Sequence, residues 1–180
     1  FVVRENWQAL KENAKFYYDK EGLGGAQFKK EAYEIYERAS FKVIEVDLAK
    51  DSDKAKAADR FVAFYEEFPE AKTAAQALNN ASIYYYDTDR VDDAVKVRHI
   101  LVEDPKFGDK TKYYYDQVAA LGFDYETIAD FDKGSFYYEK LWSLYPEHKK
   151  KKAAEEGGDT AEIDAKAGDA VYSAAVFRNG

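Results

Sequence analysis

Apolar residues recur along this chain at the three- and four-residue intervals of an amphipathic helix. Ala57, Phe61 and Phe64 form one such set, and Leu78, Ala81, Ser82 and Tyr85 a second. Phe41, Ile44 and Leu48 form a third, and Val118, Leu121, Gly122 and Tyr125 a fourth. A period near 3.6 with small residues among the apolar ones predicts helices whose buried faces pack closely on one another. The pattern and its interruptions predict helices near 3–20, 27–49, 54–67, 72–87, 91–103, 110–127, 131–144 and 160–178. EGLGG at 21–25 and EEGGDT at 155–160 are read as loops. Asp159 followed by Glu162 suits the start of the last helix. The fold class expected is all-α.

An aromatic triplet followed by an acid punctuates this pattern: FYYD at 16–19, YYYD at 84–87, YYYD at 113–116 and FYYE at 136–139. Three consecutive helical residues sweep about 200°, so one triplet cannot put every ring on one face. At 84–86, Tyr85 is expected to be buried, Tyr84 to pack against a neighbouring helix or lie at its edge, and Tyr86 to face the opposite side. The triplets therefore read as packing residues rather than as a stacking platform for a ligand.

A longer period lies behind the triplets. VAALGFDY at 118–125 places Val118, Leu121, Gly122 and Tyr125 in the order aromatic-x2-L-G-x2-Y, with Val118 in place of the aromatic. In the same register Gly134 takes a small position, Tyr138 an aromatic one and Pro146 the close. Leu78, Ala81, Ser82, Tyr85, Ala94 and Pro105 repeat the pattern, and Tyr17 precedes Tyr85 by 68 residues. On these residues the chain resembles the tetratricopeptide repeat (TPR) family, with Val118 for Trp and Gly134 for Ala as departures. The resemblance implies a TPR-like α-solenoid of antiparallel helix pairs forming a right-handed superhelix. It would be a single domain over 1–180, part of a longer array, with repeats near 3–40, 41–69, 72–105, 110–146 and a partial one at 160–180. Small residues at Gly122, Ala94 and Gly134 would let paired helices approach closely. Pro69, Pro105 and Pro146 would each end a helix, since proline cannot continue the hydrogen-bond ladder.

Composition narrows the functional classes. The 180 residues carry 27 basic and 35 acidic side chains, a net charge of −8 that opposes nucleic-acid binding. No apolar run reaches the roughly 18–20 residues of a membrane-spanning helix. The sequence contains no cysteine, which removes disulfides, thiolate ligands and cysteine nucleophiles from consideration. His99 and His148 have no metal-ligand spacing, and GLGG at 22–25 lacks the frame of a phosphate-binding loop. The acid pairs Glu66–Glu67 and Asp92–Asp93 point apart on a helix, and HKKKK at 148–152 reads as a solvated connection. DTDR at 87–90 lacks the glycine and distal glutamate of a calcium loop. No enzyme, cofactor or metal is expected.

The resemblance also implies a concave groove that binds an extended or helical segment of a partner protein. Its positions fall here on Lys11, Lys15 and Tyr18, then Lys42 and Val46. They continue through Gln76, Asn79, Ile83, Tyr86 and Asp87, and end with Asp116, Ala119, Phe123 and Glu126. Lysines would stand at one end and acids at the other. Ile83 and Phe123 occupy positions where a clamp for a terminal carboxylate wants polar groups, which disfavours that subclass. The style of residues 41–146 is similar to the looser TPR proteins of bacterial envelopes: outer-membrane assembly lipoproteins, periplasmic division coordinators and gliding-motility components. The function expected is a non-catalytic protein–protein interaction scaffold, periplasmic or outer-membrane-associated, within a multiprotein complex. The alternatives are a receptor that closes on a small peptide and the superhelical part of a cell-wall enzyme.

Overall fold

The computed structural model describes residues 6–155 and 161–179, and all regular structure among them is helical. The helices are α1 (Trp7–Asp19), α2 (Ala26–Asp51), α3 (Lys54–Glu67), α4 (Ala74–Asp87), α5 (Val91–Glu103), α6 (Tyr114–Thr127), α7 (Phe131–Glu155) and α8 (Ala161–Asn179). A short 3-10 turn at Gly108–Lys110 precedes α6, where the pattern predicted that helix to begin already. The expected helix over 3–5 and the expected cap at Asp159 lie outside the described residues.

Local chemistry sets the boundaries. Asn6 accepts the Ala9 N–H at 3.0 Å and Asp53 accepts the Lys56 N–H at 3.0 Å, each satisfying a donor that the first helical turn leaves open. The turn from α6 to α7 is a Schellman closure. The Asp130 N–H donates to Tyr125 O at 2.8 Å, the Ala129 N–H donates to Glu126 O at 3.0 Å, and Ala129 has a φ of 61°. An alanine Cβ is crowded in that conformation, so Ala129→Gly is expected to stabilise the protein by about 1 kcal/mol, read as a raised urea midpoint at unchanged slope.

Pro69 and Pro105 follow the ends of α3 and α5 as expected, but Pro146 does not close its helix. α7 runs through Pro146 to Glu155. Contacts made beyond the proline account for this. The Tyr145 hydroxyl donates to Asp164 at 2.7 Å, Lys149 reaches the same carboxylate at 2.8 Å, and the His148 ring stacks on Tyr115 with centroids 3.8 Å apart. One lost backbone bond is outweighed by this anchoring to α6 and α8.

The helices form two compact units, Phe1–Thr88 and Asp89–Gly180. In the first, α1 lies along α2 and α3 along α4. Phe41, Phe61, Phe64 and Phe68 fill its centre with ring centroids 5.0–5.3 Å apart between neighbours. The Tyr85 hydroxyl donates to Asp59 at 2.9 Å and fastens α4 to α3. In the second, α7 packs along both α6 and α8 over Val118, Leu121, Tyr125, Tyr137, Leu141, Ile163 and Ala170.

Three of the triplets bury at least one ring, whereas the first does not: Phe16, Tyr17 and Tyr18 are all exposed, against the packing expectation. Tyr85 is buried, Tyr84 lies against Phe61 at 6.2 Å, and Tyr86 is half-buried. In 136–138, Tyr137 and Tyr138 are buried while Phe136 is 58% exposed, as the 200° sweep requires.

Candidate functional site: an exposed helical face

Each predicted binding position can be placed within its own unit. Lys11 and Lys15, one helical turn apart on α1, lie with their ammonium groups 6.0 and 5.6 Å from the ring centre of Tyr36 on α2. Lys15 also bonds Asp19 at 2.7 Å, the main reason its ammonium is held more strongly protonated than usual. Tyr18 packs on Tyr33 with centroids 5.0 Å apart. Lys42 pairs with Glu45 at 2.5 Å on the exposed side of α2, and Val46 is half-buried on the same helix.

On α4, Gln76, Asn79, Ile83, Tyr86 and Asp87 follow one another at helical spacing on one side. Leu78, Ala81, Ser82 and Tyr85 are buried on the other. Ile83 is 43% exposed. Asp87 is held by Lys54 at the start of α3, 2.5 Å away. In the second unit Asp116, Ala119, Phe123 and Glu126 form the matching stripe on α6. Phe123 is 50% exposed. Asp116 lies 3.4 Å from Lys166 of α8, and Glu126 accepts the Tyr138 hydroxyl at 2.7 Å. Each stripe thus carries a large apolar side chain between flanking polar ones on a rigid helix.

Next to Phe123 in the chain, Gly122 faces α7. A Cβ on Gly122 would stand 2.7 Å from the Tyr138 ring, whereas one on Gly134 would meet nothing nearer than Gly122 O at 3.5 Å. Gly122 is therefore required by packing and Gly134 is not. Gly134→Ala, which restores the residue the repeat pattern prefers, is expected to raise stability by about 0.5–1 kcal/mol in a thermal or urea melt.

Two clusters were not singled out by the sequence pattern. The side chain of Arg98 on α5, 7% exposed, lies 2.7 Å from Asp124 on α6, whose side chain is 1% exposed. The Arg98 guanidinium also donates to Gln117 at 3.2 Å. The contact with Asp124 is an ion pair without hydrogen-bond alignment. Burial raises the Asp124 carboxyl to about 6 despite the opposing pull of Arg98. Near it, His99 lies 2.8 Å from Glu103 and 2.7 Å from the Tyr125 hydroxyl, and Tyr137 donates to Glu103 at 2.9 Å. Burial, followed by that bond to Glu103, raises the Tyr137 phenol, and burial raises Tyr125. Phenols held in the neutral form are poor nucleophiles, so this network suits bracing α5 against α6 and α7 better than covalent chemistry. The His99–Glu103 spacing of four residues was its visible trace.

Among the described residues no group of His, Asp and Glu side chains is arranged to hold a metal ion. No described helix is long and apolar enough to cross a membrane. Comparison of the chain with family models, with curated proteins and with solved structures finds no match.

Proposed function

We propose that the protein is an irregular TPR-like α-solenoid acting as a non-catalytic scaffold, and that the stripe α4 carries in the first unit and the stripe α6 carries in the second are each a contact surface for a partner protein. The observation that carries this reading is the division of labour on α6. Val118, Leu121 and Tyr125 are buried, and Gly122 admits the ring of Tyr138. The opposite side displays Phe123 between Asp116 and Glu126. α4 repeats the arrangement 40 residues earlier with Leu78, Ala81, Ser82 and Tyr85 inside and Ile83 outside. A large apolar side chain held in solvent between charges on a packed helix suits the centre of a protein interface. The envelope setting belongs to this proposal and rests on the style of residues 41–146.

Substitution at the stripe tests the reading apart from stability. Phe123→Ser and Ile83→Ser remove exposed apolar groups, so each is expected to change stability by about 0.5 kcal/mol or less. Each is also expected to weaken recovery of the partner from native cells by about tenfold or more, the effect of losing an interface anchor. Undiminished recovery in both variants would reject the stripes as the binding face.

A further inference from the structure

The network between α5, α6 and α7 sets a phenol, an imidazole and a carboxylate in series. The Tyr125 hydroxyl lies 2.7 Å from His99 Nε2, and His99 Nδ1 lies 2.8 Å from Glu103. An ionised carboxylate can accept but not donate, so in the neutral imidazole Nδ1 carries the proton. Nε2 then presents its lone pair to the phenol, and Tyr125 donates to it. Burial falls along the series. Tyr125 is 6% exposed, whereas the side chains of His99 and Glu103 are 28% and 57% exposed. A proton leaving the phenol has a path towards water that the ring itself lacks. The Tyr125 ring also lies nearly parallel to that of Tyr137, with centroids 5.7 Å apart.

We propose that Tyr125 is a one-electron donor, giving an electron to a diffusible outer-sphere one-electron oxidant while its hydroxyl proton passes to His99 Nε2. The oxidant keeps the electron. A neutral phenoxyl radical remains on Tyr125, and His99 becomes an imidazolium paired with Glu103. No bond between heavy atoms forms or breaks, and the electron needs no contact between oxidant and ring.

Basicity selects this tyrosine. A phenol that has lost an electron is a far stronger acid than the phenol itself, so oxidation is easiest where a base already holds the hydroxyl. An ordinary imidazole, at about 6.5, is a stronger base than an ordinary carboxylate, at about 4. The hydroxyls of Tyr36, Tyr85, Tyr138 and Tyr145 go to carboxylates instead. Charge demands that electron and proton leave together. The Lys133 ammonium stands 4.9 Å from the Tyr125 ring centre, which opposes a ring left positive but not a neutral radical. Composition removes competitors. The 180 residues contain no cysteine and no methionine, so tyrosine and tryptophan are the most readily oxidised side chains present. Trp142, 51% exposed and stacked on Tyr145, is the main rival. None of this depends on the proposed binding face.

The test is oxidation of the intact chain by flash-generated tris(bipyridine)ruthenium(III) at about pH 8, where an ordinary imidazole is neutral. Samples are frozen and read by electron paramagnetic resonance. A phenoxyl spectrum is expected, narrowed by ring-deuterated tyrosine and unmoved by deuterated tryptophan. Tyr125→Phe, which removes one oxygen and keeps the stacked ring, loses most of the signal, and Tyr137→Phe retains it. His99→Ala loses most of it although Tyr125 remains, and free imidazole added to that variant restores it. An unchanged yield in Tyr125→Phe, or in His99→Ala without imidazole, would overturn the proposal. A loss in His99→Ala that imidazole does not restore would make His99 a packing residue and overturn the proton step. An indolyl spectrum in the wild type would overturn the assignment in favour of a tryptophan, and loss in Tyr137→Phe alone would overturn it in favour of Tyr137.

Discussion

Replacing Arg98 by Ala should destabilise the protein by about 3–5 kcal/mol at pH 7.5, the cost of stranding a charge away from water. Asp124, whose side chain is 1% exposed, loses the guanidinium 2.7 Å away and retains no aligned hydrogen bond. The carboxylate can escape only by taking up a proton. Burial already lifts it to about 6 with Arg98 present, and removing the cation raises it further. The deficit of Arg98→Ala relative to wild type should therefore shrink as the pH falls from 8 to 5. Asp124→Ala behaves differently. It strands an arginine that cannot neutralise itself, so its deficit does not shrink in the same way. An Arg98→Met, Asp124→Leu double variant leaves no buried charge and should lose less than either single variant.

Wild-type stability carries the same signature. The folded carboxyl of Asp124 titrates above its ordinary value of 3.8, so the folded state binds its proton more tightly than the unfolded chain does. That contribution is complete below about pH 4 and is lost as the pH rises through about 6. Its size is on the order of 3 kcal/mol, from roughly two pH units at about 1.4 kcal/mol each. Asp93, Glu103, Asp130 and Glu162 are shifted the other way. Their contributions are present above their unfolded values and fade only on further acidification. His148, lowered by burial, works against the Asp124 contribution between pH 7 and 5, and Glu37, raised by burial, works with it. The stability difference between wild type and a variant without the pair should therefore rise from pH 7 to pH 5. Urea midpoints measured across that range, with the Arg98→Met, Asp124→Leu variant as reference, read the effect. A flat difference between pH 7 and 5 would sink it.

The second large effect is at Gly122. A valine there would drive branched atoms into the Tyr138 ring, which already stands 2.7 Å from the position of a bare Cβ. Tyr138 cannot simply swing aside, because its hydroxyl is fixed on Glu126 and its ring packs near Phe177. The loss should be about 1–3 kcal/mol through overpacking. That is about 2–12 °C in melting temperature for a chain of this size. Tyr138→Leu in the Gly122→Val background should return part of it, since the smaller side chain vacates the space. A Gly122→Val protein as stable as wild type would mean that α6 and α7 do not cross at this point.

Helix existence was legible because burial is periodic. The sets Leu78, Ala81, Ser82, Tyr85 and Val118, Leu121, Gly122, Tyr125 are buried as their spacing predicted. The glycine at 122 also announced a close crossing, and Gly134 announced one that its surroundings do not demand. The helix end at Pro146 was misread because proline chemistry is local, whereas the contacts of Tyr145, His148 and Lys149 that continue the helix lie in α6 and α8. The Arg98–Asp124 pair was hidden for the same reason. Nothing within 26 residues of sequence marks one charge as the partner of another, and each alone reads as a solvated residue. The proposed binding positions were legible only as helix register, which fixes the side of the helix that Ile83 and Phe123 occupy but not what they meet.

Photo-crosslinking tests the central claim most directly. Tyr86 and Phe123 are each replaced by a photoreactive residue in the native cell, Lys112 serves as the control position, and captured products are identified by mass spectrometry. The account predicts one dominant protein captured from both Tyr86 and Phe123 and absent at Lys112. Capture at Lys112 equal to that at the two stripe positions, or nothing above background at either stripe, would contradict it.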